Sequence, residues 1–338
     1  MRFASAVLAV LALCVAHHDA AGQLSYSRGQ TASPAYEGFE VNSDGSYNLL
    51  FGYMNRNWDE ELDIPIGPDN YFSPGQVDRG QPTHFLPRRN RFTFKVRLPA
   101  DFGDQELVWT LRIRGRESKA YASLRQDLLV DNMVIASETG ALGAGRSDPE
   151  TRSNTAPVIE LETDRQIAAQ VGQPVTLIAR VTDDGLPLTR VERVDRARAA
   201  RVEEDVGDTD SATDETEEEE NEKEELSPEL KDLQRWLNEP NRVTVNKSVG
   251  LHFTWFVYRG ENDATFEPIQ IESWEDSRAW HNSPWSPYWE APAVPEDGRW
   301  VVSVTFDEPG TYVLRGRADD GSIYADEEVT INVRPLLP

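Results

Sequence analysis

The chain has 338 residues, and its 59 acidic residues against 34 basic ones leave a formal net charge of −25. An acid excess on that scale speaks against a nucleic-acid surface, which needs a surplus of Lys and Arg on one face. A single cysteine, Cys14, leaves no disulfide framework. No Gly-x-Ser-x-Gly elbow, metal-spaced histidine pair or phosphate-cradling glycine loop is present, so no catalytic constellation is legible.

Met1 and Arg2 precede an apolar run from Phe3 to Ala16 that is too short to span a bilayer as a mature helix. Residues 1–22 read as a signal peptide, cut after Gly22 with Ala20 at the small position before it, or after Ala16. Cys14 would leave with it. Export without cysteine points to a bacterial envelope or extracellular protein. No later segment is apolar and long enough for a membrane span.

Residues 30–137 alternate apolar and polar at period two, as strands with one buried face do. Tyr47, Leu49, Phe51 and Tyr53 make one face, Phe92, Phe94, Val96 and Leu98 a second, and Leu107, Trp109, Leu111 and Ile113 a third. Asp44-Gly45 supplies the turn of an opening hairpin. Pro65, Pro68, Pro74, Pro82 and Pro87 mark a long connection that cannot be a central strand. Within it, His84 lies near Arg88 and Arg89, as an ordinary loop histidine or one that orients an anion. Gly52-Tyr53-Met54-Asn55-Arg56-Asn57, Ile64-Pro65-Ile66-Gly67-Pro68 and Gly80-Gln81-Pro82-Thr83-His84-Phe85 resemble the opening of a group of secreted bacterial proteins, and that likeness implies no activity.

Residues 138–155 have the small, polar, glycine-rich composition of a flexible linker. A second β domain is expected over 156–335, with strands at Gly172–Val181, Leu251–Tyr258, Trp300–Phe306, Thr311–Arg315 and Val329–Val333. Here Glu308-Pro309-Gly310-Thr311-Tyr312-Val313-Leu314 resembles the immunoglobulin turn whose tyrosine folds back on the chain. The resemblance implies a core in which Ala179 and Leu314 take the two cysteine positions and Trp255 the place of the core tryptophan. Lacking both cysteines, the domain is closer to PKD, cadherin-like and fibronectin type III-like modules. The fold expected is therefore all-β, with two antiparallel sandwich-type domains, the second immunoglobulin-like.

Residues 188–242 interrupt that second domain between its second and third strands. From Glu203 to Glu229 fifteen acids stand against one lysine, Lys223, a composition that cannot bury enough apolar surface to order itself. Ser227-Pro228-Glu229 marks a helix start, with Leu230, Leu233 and Leu237 at helical spacing. The insert reads as a solvated spacer, or as an acidic tether for cations or a basic partner.

In a sandwich of this topology the loops after the second, fourth and sixth strands meet at one pole. Asp183, Asp184, Asp319 and Asp320 are turn residues there, or oxygen donors to a calcium ion. Trp274, Trp280, Trp285, Tyr288 and Trp289 crowd the loop after the fourth strand. They cap the core, or they form an exposed platform for sugar rings or a protein. The expectation is a non-enzymatic binding or structural protein that meets a protein or glycan at this pole. The alternatives are carbohydrate binding through 274–289 and a calcium-rigidified spacer.

Overall fold

A computed structural model describes residues 27–141, 148–189, 191–196, 199, 249–262, 264–273 and 293–336. The Trp-rich loop and the acidic run with its expected helix lie outside the described residues.

The N-terminal domain is a sandwich of two three-stranded sheets. One has the order β1 (Ala32–Val41), β2 (Tyr47–Asn55), β6 (Arg88–Leu98), and the other β4 (Asn70–Ser73), β7 (Leu107–Ile113), β8 (Arg116–Ala122). A short pair, β3 (Leu62–Asp63) with β5 (His84–Phe85), closes one end. Gly45, at φ +81°, makes the turn that sets Val41 opposite Tyr47. Phe51, Phe72, Phe94 and Trp109 meet at ring separations of 5.1–6.1 Å in the core. The proline-rich connection contributes β4, and it does so at a sheet edge, where a strand need pair on one side only.

One expected face is broken. Phe92 does not follow Phe94, Val96 and Leu98 into this core, because β6 bulges between Phe94, opposite Phe51, and Asn90, opposite Tyr53. Phe92 sits there at φ +49°, and its ring joins Leu50, Val130, Ile135, Ala136 and Ile323 in a cluster shared by the two domains. Period two cannot reveal a bulge, since the extra residues interrupt the count without changing composition.

The stretch expected as a flexible linker carries structure. Helix α1 (Asn132–Thr139) is capped by Asp131, which accepts from the Val134 N–H at 2.9 Å. Helix α2 (Pro149–Ser153) is capped by Asp148, with proline at its first turn. Small polar residues suit capped short helices as well as tethers, and Asp148-Pro149 is the signal that separates the two.

In the second domain β9 (Val158–Leu161), β11 (Val175–Thr182), β14 (Arg299–Thr305) and β13 (Thr265–Glu267) form one sheet in the order β9-β11-β14-β13. The other runs β10 (Gln166–Gln170), β16 (Tyr324–Arg334), β15 (Gly310–Asp319), β12 (His252–Arg259). Lettered in chain order this is ABED against CFG, with the first strand split so that β10 pairs parallel with the last. The domain is an immunoglobulin-like sandwich. Ala179, Trp255, Tyr312 and Leu314 lie in one dry core, and the Tyr312 hydroxyl donates to the Glu308 carbonyl at 3.1 Å. Gly316 is required beneath that core: a Cβ there would stand 2.5 Å from Phe253 and 3.1 Å from Trp255. Among the described residues no helix is long and apolar enough to cross a membrane.

Candidate functional site: the domain junction and the loop pole

The two sandwiches meet along the outer face of the β10-β16-β15-β12 sheet. Because β15 alternates, Tyr312, Leu314 and Ala318 point into the core while Arg315 and Arg317 point to the N-terminal domain. The hairpin register sets Arg315 opposite Glu328 and Arg317 opposite Asp326, so each guanidinium finds its carboxylate across the strand. Arg315, 6% exposed, also lies 3.4 Å over the Tyr258 ring and donates to the Thr93 carbonyl. Arg317 lies 3.8 Å over Tyr324, whose hydroxyl donates to the Phe92 carbonyl at 2.8 Å. The carbonyls that the β6 bulge turns out of its ladder are thus satisfied by the second domain. Burial alone would weaken the Arg315 charge, but Tyr258, Asp326 and Glu328 outweigh it and raise the guanidinium pKa. Burial pushes the Tyr258 hydroxyl up to about 12.

Beside these contacts a cleft of about 790 Å³ opens between the domains, with Leu50, Phe92, Ile135 and Val313 among its walls. The charged groups bordering it are paired: Lys95 with Glu40, Arg165 with Glu327, Arg259 with Asp78. Its described lining contains no Ser, Cys or His. The cleft therefore has partly apolar walls and ion-paired charges at its rim.

At the far end β3 and β5 dock on the turn after β12. The Tyr258 hydroxyl donates to the Gly80 carbonyl at 2.5 Å, Gly260 N–H to Thr83 Oγ1 at 3.0 Å, and Asn262 N–H to Asp63 at 2.9 Å. His84 orients no anionic ligand here. It is 2% exposed, with Nδ1 2.7 Å from Asp63 and Nε2 2.6 Å from Glu61. Two carboxylates only accept, so both ring nitrogens donate and the ring is an imidazolium. Burial would lower its pKa, but the hydrogen bonds and charges of Asp63 and Glu61 prevail and lift it to about 9.

The opposite end of the second sandwich is the expected loop pole. Among the described residues there, Val181 N–H bonds the Gly298 carbonyl, Gly250 N–H the Asp320 carbonyl, and Ala141 N–H the Gly321 carbonyl. The four aspartates, read as turn residues or as calcium donors, make separate contacts. Asp183 and Asp319 accept from the N–H groups of Gly185 and Gly321 in their own turns. Asp184 holds Thr155 through N–H and hydroxyl at 2.8 and 2.7 Å, and Asp320 holds Asn154 at 3.0 Å. Most of these oxygens serve turn and connector donors, while Asp183 Oδ1 is buried without a hydrogen-bond partner, and among the described residues no group of three or more His, Cys, Asp or Glu is arranged for a metal ion. Burial, with the Asp319 charge added, pushes Asp320 up to about 7, and burial raises Asp183 as well. The Trp274, Trp280, Trp285, Tyr288 and Trp289 platform lies outside the described residues.

Sequence reasoning missed the junction. Arg315, Arg317, Asp326 and Glu328 carry opposite charges in register across the Asp320-Gly321 turn, and that was the available signal.

No family model and no curated protein matches the sequence. Among solved structures, domains 1–6 of the surface layer protein SbsC align over 91% of this chain and 28% of that one, at 7% identity and TM-score 0.23. The Clostridium thermocellum CbhA fibronectin(III)-like modules align over 90% and 95%, at 8% and 0.20. Invasin, a bacterial integrin-binding protein, aligns over 90% and 39%, at 10% and 0.20. The chain thus spans well under a third of the surface-layer fragment's length. At these TM-scores the overlays carry no weight, and the fold assignment rests on the strand order itself.

Proposed function

We propose that this is a non-enzymatic binding or structural protein of the bacterial envelope or exterior, in which two sandwiches form one rigid body and the loop pole meets a partner. The observation that supports it most is the junction: buried arginines, aromatic rings and a shared apolar cluster tie the domains side by side. Such a body transmits position rather than gating a reaction. The α1–α2 connector seals one side of the pole through Glu150, Asn154 and Thr155. The exposed residues Val294, Glu296 and Asp297 border the other side, where a partner has access.

A photo-crosslinker at Val294, with a control at Thr176 on the outer face of the first sheet, tests the reading in envelope extract. A discrete adduct at Val294 alone is expected. Equal labelling at both positions, or hydrolysis of esters, peptides or glycans that is lost on a single-residue replacement, would overturn it.

A further inference from the structure

The N-terminal domain carries a second surface whose chemistry differs from the rest of this acidic chain. Along β7, Leu107, Trp109, Leu111 and Ile113 enter the core, so Val108, Thr110 and Arg112 face outward. Pairing places Tyr71 and Lys119 on either side of Thr110, Tyr121 beside Val108, and Glu117 beside Arg112. Tyr121 is 57% exposed. It stands two strands and two residues from Tyr71, about 12 Å across the sheet. That is the span of a short run of sugar rings.

On the outward face of the β7-β8 hairpin Arg112 and Lys119 stand against the single acid Glu117, while Arg114 pairs with Glu60 at 2.6 Å and Arg116, opposite the core residue Ile113, falls on the inward side. Glu117 accepts from both Arg112, at 2.7 Å, and Lys119, at 2.8 Å, so one carboxylate serves two cations and positive charge remains between the tyrosines. Under this row Thr110, 1% exposed, keeps a hydroxyl without a hydrogen-bond partner on the outward side of the strand. A protein partner would want a dry apolar centre, and here the centre is a threonine and a lysine.

We propose that this outer face of the β4-β7-β8 sheet binds an acidic polysaccharide, with Tyr71 and Tyr121 stacking on sugar rings and Arg112 and Lys119 pairing with ring carboxylates. Stacking alone would hold neutral sugars weakly, and charge alone would not select a sugar. The site is separate from the loop pole, so it stands or falls without the reading given above.

The test is calorimetric titration of the full chain with a galacturonic acid hexamer, cellohexaose and hexaglutamate. The galacturonate hexamer binds, more weakly as salt rises, and cellohexaose binds at least tenfold more weakly. Hexaglutamate does not bind. Tyr121→Ala lowers affinity about tenfold, the order of one lost aromatic contact, and Lys119→Gln lowers it severalfold, both without change in melting temperature. Arg112→Gln, on the same face, serves should Tyr121→Ala fail to fold. Absence of galacturonate binding, binding undiminished in these variants, or equal binding of hexaglutamate would each overturn the assignment.

Discussion

Strand β15 has two faces built by alternate residues, and they are held together by different physics. Tyr312, Leu314 and Ala318 fill a dry core against Trp255, where shape and apolar area decide. Arg315 and Arg317, one residue away, are largely hidden too but lie between two domains, where each charge needs a carboxylate and a ring. Burial by itself thus does not define a core. A strand at a domain junction keeps the polar period of a surface strand while losing its water.

The contrast is broken most severely on the core side. Trp255→Ala removes the largest buried ring of the second sandwich and is expected to cost about 4 kcal/mol, read as a lowered midpoint in urea denaturation. The clamp at His84 comes next. Its pKa stands at about 9 when folded, above the ordinary histidine value of 6.5. The stabilisation is therefore complete below pH 6.5 and is lost as pH rises through 9, a loss of about 3 kcal/mol. Melting curves between pH 6 and 10 should show this slope in the parent and a much flatter one in His84→Gln. On the acid side, burial would raise Asp63, but hydrogen bonds from His84 and the Asn262 N–H hold it below the usual carboxylate range. Its contribution disappears as pH falls through that lowered value.

Arg315→Ala tests the junction face directly. Glu328 is 45% exposed and regains water, so the expected cost is about 2 kcal/mol rather than that of a fully buried pair. Its signature is a single calorimetric endotherm splitting in two as the domains uncouple. Tyr312→Phe is the mildest: it keeps the ring and removes one hydrogen bond to Glu308, for about 1 kcal/mol in urea titration. Were Tyr312→Phe to cost more than Arg315→Ala, the junction would contribute less than its burial implies.

Much of the second domain was readable in one dimension. Glu308-Pro309-Gly310 and Tyr312 form a local corner, and Trp255 enters the core with Phe253 and Val257 from alternate positions of β12. Three features escaped. The bulge at Phe92 hides in an unbroken apolar series. The Asp183 and Asp320 triplets resemble both turns and cation ligands until Thr155 and Asn154 occupy their neighbours. His84 has no nearby acid in sequence, since Glu61 and Asp63 lie more than twenty residues away.

The amino-acid order alone determined where strands run, which of their faces are apolar and which turn carries the folded-back tyrosine, because those follow from contacts a few residues long. Tertiary structure decided which charged face is buried against the other domain, which carboxylates grip His84 and which connector covers the pole. Those choices join groups some 20 to 230 positions apart, and alternation at period two is the same whether a strand faces water or another sheet.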